Sequence, residues 1–308
     1  MATTVTPAVS NSIGLTSQYV PLLDEIYKAE SKTAILDTVQ DRVRWSPEYH
    51  TFYLFETDMG GLGNYSRNAG FVRGDVTASW RGYAPQWDRG RQFLVDRIDN
   101  DESMGMAFGT LAGEFMRTKV VPEVDAVRFA QYAQNAASGN KDTESIAASA
   151  TLIASIDDAV AALDDAEVPY EGRILFLNPT TYKYLKAGIT RYTMNGENGI
   201  DYNVEMYNDM RVITVPSGRF NTEITLAEPT DHDDAGGFTA TGSTINYMIV
   251  HPTAIMQANQ FAEPRIFSPA VVQEAQAFKF DFRQYHGAWV KYQKKNGIYV
   301  SAASFPSA

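Results

Sequence analysis

One stretch of this 308-residue chain limits the possible folds more than any other: Asp101 to Ala137, DESMGMAFGTLAGEFMRTKVVPEVDAVRFAQYAQNAA. Met104, Phe108, Leu111 and Phe115 fall at i, i+4, i+7 and i+11, which is one apolar stripe of a helix. Asp99, Asp101 and Glu102 crowd its start, where carboxylates suit the positive end of a helix dipole. Pro122 lacks a backbone donor and clashes with the preceding turn. A kink or restart is therefore expected, with Pro122 as first residue of the second segment. As one rod the stretch would span about 55 Å, at about 1.5 Å per residue. An ordinary core helix satisfies the pattern. A spine from which separate lobes hang satisfies the length as well.

The segment before this helix has a different chemistry. No lysine occurs between Lys32 and Lys119, yet Arg67, Arg73, Arg81, Arg89, Arg91 and Arg97 are spaced along it, interleaved with Tyr65, Phe71, Trp80, Tyr83, Trp87 and Phe93. Val76, Ala78 and Trp80 alternate with polar residues, which is strand spacing. Residues 91–97 read as a second strand and residues 84–90, with Pro85 and Asp88-Arg89-Gly90, as the turn between them. The expectation is a long hairpin arm leading into the helix. A lone hairpin is marginal in water, so one with two Trp and a row of Arg calls for a partner surface. Six Arg against three Asp give residues 60–98 a charge of +3, so the rest of the chain carries −14 of the formal −11. Opposite charge on arm and body suits docking of the arm on a neighbouring copy through Arg–carboxylate pairs. An Arg/aromatic nucleic-acid hairpin and a merely solvated hairpin are the competing readings. Further upstream, residues 1–17 read as a loose tail, and residues 19–36 as a short helix that docks on this chain or a neighbour.

Past the helix the pattern is mixed. Ser155 to Leu163 reads as a helix with Ser155 as N-cap and Asp158 three residues on, while residues 143–154 fit either an extension of that helix or a strand. Residues 174–177 and 245–250 are short apolar runs, the mark of buried strands, and residues 210–215 are a strand stopped by Pro216. Asn178-Pro179-Thr180 opens a helix that Gly188 ends. Residues 190–207 and 221–243 read as loops. Residues 278–300 read as two strands joined by a hairpin turn at Lys294-Lys295-Asn296-Gly297.

Composition removes whole classes of chemistry. The chain has no cysteine, which excludes disulfides, thiol nucleophiles and cysteine-ligated zinc. No apolar run approaches the roughly 18 residues of a membrane span, and the first residues, MATTVTPAVSNS, do not read as a secretion signal. A net charge of −11 disfavours a dedicated nucleic-acid binder. With four histidines and no Gly-x-Ser-x-Gly, a hydrolytic triad has no footing. Gly60-Gly61-Leu62-Gly63 lacks the ending of a phosphate loop. Asp231-His232-Asp233-Asp234 offers hard ligands, so a metal-dependent enzyme stays as a remote alternative, but the spacing matches no calcium loop and a solvated acidic loop is the better reading. The reading is of a non-enzyme with no catalytic residues, no cofactor and no metal.

A set of motifs then carries a resemblance. Gly61-Leu62-Gly63-Asn64-Tyr65-Ser66-Arg67-Asn68-Ala69-Gly70-Phe71, Trp80, Asp88-Arg89-Gly90, Phe93-Leu94-Val95-Asp96-Arg97-Ile98-Asp99 and Val121-Pro122-Glu123-Val124-Asp125-Ala126 follow in order. Arg173-Ile174-Leu175 with Asn178-Pro179, His251-Pro252-Thr253-Ala254, Tyr285-His286-Gly287-Ala288 and Asn296-Gly297-Ile298-Tyr299 come later. In order and spacing they resemble the major capsid proteins of tailed double-stranded DNA bacteriophages with the HK97-type fold.

The resemblance implies an α+β fold with an N-arm (1–45), an E-loop arm and its base (46–100), a peripheral-domain spine helix (101–140), an axial domain (141–270) and a return to the peripheral domain (271–308). It implies a subunit that self-assembles as hexamers and pentamers into the head shell of a virion, built in the host cytoplasm and enclosing DNA without sequence-specific binding. A separate scaffolding protein, a portal and a decoration protein are the implied partners, with no membrane. Arg67, Arg73, Trp80, Trp87, Arg89 and Arg91 are the implied inter-subunit contacts. Without an E-loop lysine, no isopeptide weld between subunits is expected. A cellular nanocompartment shell on the same fold is the alternative.

Overall fold

The arm is a hairpin, but its strands pair differently from the expectation. β1 (Val43–Ser46), β2 (Thr51–Met59) and β3 (Val76–Tyr83) form an antiparallel ribbon in that order. Phe55 faces Trp80 and Met59 faces Val76 across the β2–β3 pair, so the bend of the hairpin is the glycine-containing segment 60–75. The expected turn at residues 84–90 is not one. Ala84 to Gln86 is a short link, and β4 (Trp87–Asp96) leaves the ribbon to pair with Ala277–Val290 of another sheet. This computed structural model describes residues 31–37, 43–46, 51–65, 67–68, 70–71, 73–102, 106–189, 204–231, 235–272 and 275–306.

From β4 the chain runs directly into the spine: α1 (Arg97–Glu102), α2 (Met106–Phe115), a π-helical turn (Met116–Val120) and α3 (Val121–Asn135). Pro122 does interrupt the regular helix, but as the second residue of α3 rather than the first. It has no N–H to give to the carbonyl four residues back, and the backbone answers by widening. The N–H of Val121 bonds Met116 O, five residues earlier, and Thr118 Oγ1 donates to Glu114 O at 2.7 Å.

The mixed region that follows contributes β5 (Lys141–Asp142), α4 (Ser149–Asp165), β6 (Ile174–Leu177), α5 (Pro179–Gly188), β7 (Met206–Tyr207), β8 (Met210–Thr214), β9 (Ile224–Leu226), β10 (Phe238–Ala240) and β11 (Ile245–Val250). The long strands β12 (Ile255–Phe267) and β13 (Ala277–Val290) come next, and β14 (Ile298–Ala302) ends the series. The six-stranded sheet runs β5-β14-β11-β6-β8-β7. Its two apolar runs sit at the centre and divide their side chains by period two. Leu175, Leu177, Tyr247 and Ile249 pack with Leu152, Ile156 and Leu163 of α4 and Leu185 of α5 on one face. Phe176, Met248 and Val250 pack with Phe129 and Tyr132 of α3 on the other. The second main sheet, β12-β13-β4, lays Phe93, Phe280 and Phe282 on Met116, Val120 and Val124 of the spine, with Phe115 set edge-on between the rings.

Asn178 caps α5 as its sequence predicts, its Oδ1 accepting from the Thr181 N–H at 2.8 Å. Ser155 is a different matter. α4 begins six residues earlier, at Ser149, so most of the undecided stretch 143–154 precedes or extends the helix without a strand. Ser155 is then buried mid-helix, where its hydroxyl lies 2.7 Å from Tyr247 Oη and donates to Asp142 at 3.0 Å. The expected loop 221–243 contains the β9–β10 hairpin. The expected hairpin at Lys294–Gly297 is a 3-10 segment (Tyr292–Gly297) that carries the chain from one sheet to the other: β13 pairs with β12 and β4, β14 with β11 and β5. Residues 190–203 of the expected glycine-rich loop lie outside the described residues, as do residues 1–17 and residues 19–30 of the expected N-terminal helix. The described end of that helix is a 3-10 turn (Ala34–Leu36), not an α-helix.

Candidate assembly interface

Alternation along the arm separates two faces. Phe52, Leu54 and Glu56 of β2 lie on one, Tyr53, Phe55 and Met59 on the other, the latter sharing their face with Val76, Ala78 and Trp80 of β3. Leu54 and Glu56 are buried, whereas Met59 is 68%, Val76 67% and Trp80 45% exposed. Trp80 leans on Phe55 with ring centroids 5.1 Å apart. Towards the bend Leu62, Tyr65 and Phe71 are exposed, and the last two pack on each other at 4.9 Å. Single exposed apolar residues are ordinary; a contiguous set along one face of a projecting ribbon marks a surface that another molecule covers.

The arm is fixed at its root. Phe52 and Tyr83 pack against Trp289 with centroids 5.9 and 6.0 Å away. Tyr83 Oη accepts from the Tyr292 N–H, Arg81 lies 4.1 Å over the Tyr292 ring, and Gln293 donates to Thr57 O. Inside the ribbon, Arg81 pairs with the buried Glu56 at 3.3 Å. Trp289 can seat there because residue 287 is glycine: a Cβ on Gly287 would collide with the Trp289 ring. Gly287→Ala is therefore expected to push Trp289 off Phe52 and Tyr83 at a cost of about 1–3 kcal/mol. The near-ultraviolet circular dichroism of the tryptophans is the readout, and an unchanged spectrum with unchanged thermal stability would sink this account of the root.

The six residues expected at inter-subunit contacts fall into two groups. Arg67, Arg73 and Trp80 are exposed on the arm. Trp87, Arg89 and Arg91 are half-buried against the chain's own body. Trp87 packs on His286 at 5.6 Å. Arg89 pairs with Glu123 at 2.7 Å and donates to the carbonyls of Ala227 and Gly237 at 2.7 and 3.3 Å. It ties β4, the start of α3 and the β9–β10 hairpin together. Arg89 and Arg91 line a cavity of about 620 Å³ whose floor is Phe93, Phe115 and Phe282.

Sequence reasoning missed the anchor of the N-terminal segment. Asp125 on α3 is fully buried and accepts from Ser31 Oγ and Thr33 Oγ1, both at 2.7 Å, and from the Lys32 N–H at 2.9 Å; Arg219 lies 3.5 Å away. Arg128, one turn on, donates to Thr33 Oγ1 at 2.9 Å. The polar pair Ser31 and Thr33, either side of Lys32, is visible in the sequence, but nothing there names their partner 94 and 92 residues away.

Among the described residues no group of three or more His, Asp or Glu side chains could hold a metal ion. His232, Asp233 and Asp234 of the acidic loop lie outside the described residues. No described helix is long and apolar enough to cross a membrane.

No family model matches the sequence, and no curated protein matches it either. Solved structures do. The capsid structure of the cyanophage P-SCSP1u aligns with TM-score 0.61 at 13% identity, over 88% of this chain and 87% of that one. The mature capsid of bacteriophage PhiM1 aligns with TM-score 0.58 at 11% identity, over 82% and 83%. A virus-like particle from Pyrococcus furiosus aligns with TM-score 0.50 at 11% identity, over 93% and 99%. With a projecting arm, a long spine, a helix-flanked sheet and a second sheet packed on the spine, this chain has the α+β, HK97-type fold of phage capsid subunits.

Proposed function

We propose that the chain is a structural shell subunit: it assembles with copies of itself, as hexamers and pentamers, into the head that encloses a phage genome. The observation that carries this reading is the arm. It has a rigid root, an apolar face left open from Met59 to Trp80, and two exposed arginines on its bend. The likeness to phage capsids over more than four fifths of the chain supports the same reading. In this reading residues 31–37 belong to the N-arm, β2 and β3 to the E-loop arm, the spine to the peripheral domain and β5–β11 to the axial domain; strand pairing moves two of the expected bounds, since β12 lies with β13 and β4 rather than with the axial strands, and β14 joins the six-stranded sheet. Each interface can then be of ordinary size, because closure of the shell repeats it by symmetry. A separate scaffolding protein, portal and decoration protein complete the proposed set of partners. The likeness to the Pyrococcus particle keeps a cellular compartment shell as the second reading.

Electron microscopy of the full chain, expressed alone and with its phage's other head genes, tests this reading. Closed particles or capsomer rings are the expected result, and a monomer under both conditions would overturn it. Trp80→Ala combined with Phe71→Ala is expected to leave a folded, soluble monomer. It should cost about 2 kcal/mol or more per contact, which lowers particle yield more than tenfold. Particles at the parent's yield would remove the arm from the interface.

A further inference from the structure

A second surface has no partner among the described residues. The 3-10 segment Tyr292–Gly297, at the root of the arm, gathers a local excess of positive charge. Lys291, Lys294 and Lys295 lie on or beside it, and Lys141 joins them from β5, the adjoining edge strand. Asn140 secures that edge by donating to the carbonyls of Asn296 and Ile298 at 2.9 and 3.0 Å. Lys141 Nζ donates to Gln134 O and Lys291 Nζ to Thr253 O, both at 2.8 Å, so their acceptors are neutral carbonyls. Lys295 Nζ sits 5.0 Å from the Tyr292 ring, which is 57% exposed and has Arg81 on it as well. Among the described residues none of the four lysines has an ion pair.

That arrangement is costly in a chain of net charge −11, where carboxylates are plentiful. Burial and then Lys294 depress the Lys291 amine to about 8; burial and then Lys295 lower Lys141. Like charges are thus held together without a counter-charge, and a polyanion would relieve the repulsion. The residue type points to which polyanion. Elsewhere in the described residues carboxylates are held by arginine: Glu56 by Arg81, Glu123 by Arg89, Asp164 by Arg173, Asp125 by Arg219 and Asp88 by Arg283, with Lys279–Asp281 the exception. Arginine's planar fork fixes register on a carboxylate, whereas a lysine is a mobile point charge. Four clustered lysines, one of them against an exposed tyrosine ring, suit a uniform, repeating array of phosphates.

We propose that Lys141, Lys291, Lys294 and Lys295 form a contact for the phosphate backbone of DNA, without regard to base sequence. This rests on the shell reading, in which enclosed DNA is the abundant polyanion.

The test uses the full chain and fluorescein-labelled DNA duplexes of two unrelated sequences, with binding followed by anisotropy as salt is raised. Both duplexes should bind alike, and log K should fall against log salt with a slope of about −3 to −4, roughly 100-fold between about 50 and 200 mM. Lys294→Gln/Lys295→Gln should make the slope shallower by about 2. Lys294 is exposed and Lys295 half-buried with its amine against the Tyr292 ring, so the fold is expected to survive. If circular dichroism shows otherwise, Lys294→Gln alone, with a slope change of about 1, decides. Binding that ignores salt, or that the substitutions leave unchanged, overturns the proposal. So does a variant that binds DNA like the parent yet forms no particles, which would mean that the patch meets an acidic face of a neighbouring copy. Particle formation by the parent is scored separately by electron microscopy, so failure of the shell reading and failure of the DNA contact give different results.

Discussion

Asp125→Ala is expected to lower stability by about 3–5 kcal/mol, the range for removing one partner of a buried charged network. The carboxylate has no exposure and takes hydrogen bonds from two hydroxyls and the Lys32 N–H, with Arg219 close by. Without it, the Ser31 and Thr33 hydroxyls and a cation lose their common acceptor, and each buried polar group left unsatisfied adds to the loss. Asp125→Asn keeps one acceptor oxygen and should cost less. The effect also has a direction in space. Ser31, Lys32 and Thr33 are held to the spine chiefly through this one side chain, so cleavage by trypsin at Lys32 should accelerate in step with the loss of stability. Urea unfolding of the parent and both variants measures the first effect and limited proteolysis the second. A midpoint unchanged in Asp125→Ala would show that residues 31–37 are held by something else.

Acid is expected to destabilise the fold through one imidazole. His286 is 1% exposed, its Nδ1 has no hydrogen-bond partner among the described residues, and Trp87 covers its ring. Burial first, then the positive charges of Arg128 and Arg89, push its pKa from 6.5 down to about 3. The folded state therefore holds this histidine neutral while the unfolded chain protonates it near 6.5. Between those two values the unfolded state binds more protons, so stability is fully present above about 6.5 and is lost as the pH falls towards 3. The whole depression corresponds to roughly 4–5 kcal/mol. Thermal melts of the parent and of His286→Phe, taken at about pH 7 and about pH 4, give the comparison. The variant should lose distinctly less stability across that interval. Some slope will remain, because Arg283 lowers the pKa of Asp88 and acts in the same direction. Parallel losses in the two proteins would show that His286 is not the acid-sensitive group.

How far the sequence could be read depended on whether the signal was local. The spine, the two buried strands 174–177 and 245–250 and the Asn178 cap each follow from a few neighbouring residues, and each is present. Pairing is not local. The alternation at residues 76–80 identifies a strand, but its partner is β2, and the nearer candidate, β4, belongs to another sheet. Asn296-Gly297 has the composition of a hairpin turn, yet the strands on either side of it take their partners elsewhere. β12 gave no clear signal at all. Gln257, Asn259, Glu263 and Pro264 interrupt its apolar character, and it is held as a strand by pairing with β13 along its length. Ser155 has the residue type of an N-cap but lies inside a helix because Tyr247 and Asp142 satisfy its hydroxyl. The arm was legible as a hairpin with exposed arginine and aromatic side chains, because the two residue types are interleaved there. Which of its arginines the chain uses internally was not, since Glu123 and the Ala227 and Gly237 carbonyls approach Arg89 only in the folded state.

The π-helical turn at Met116–Val120 makes the length of the spine matter as much as its composition. A bond that spans five residues where an α-helix spans four is one residue in excess. That excess shifts the angular phase of everything upstream by about 100° relative to α3. Phe115 meets Phe93, Phe280 and Phe282 only in the shifted phase. Loss of a single codon between 116 and 120 would remove that excess residue. It would also turn α2 away from the three rings, and with it the strand that leads back to the arm. Substitutions in this turn can be absorbed side chain by side chain, but a one-residue deletion re-aims the whole helix before it.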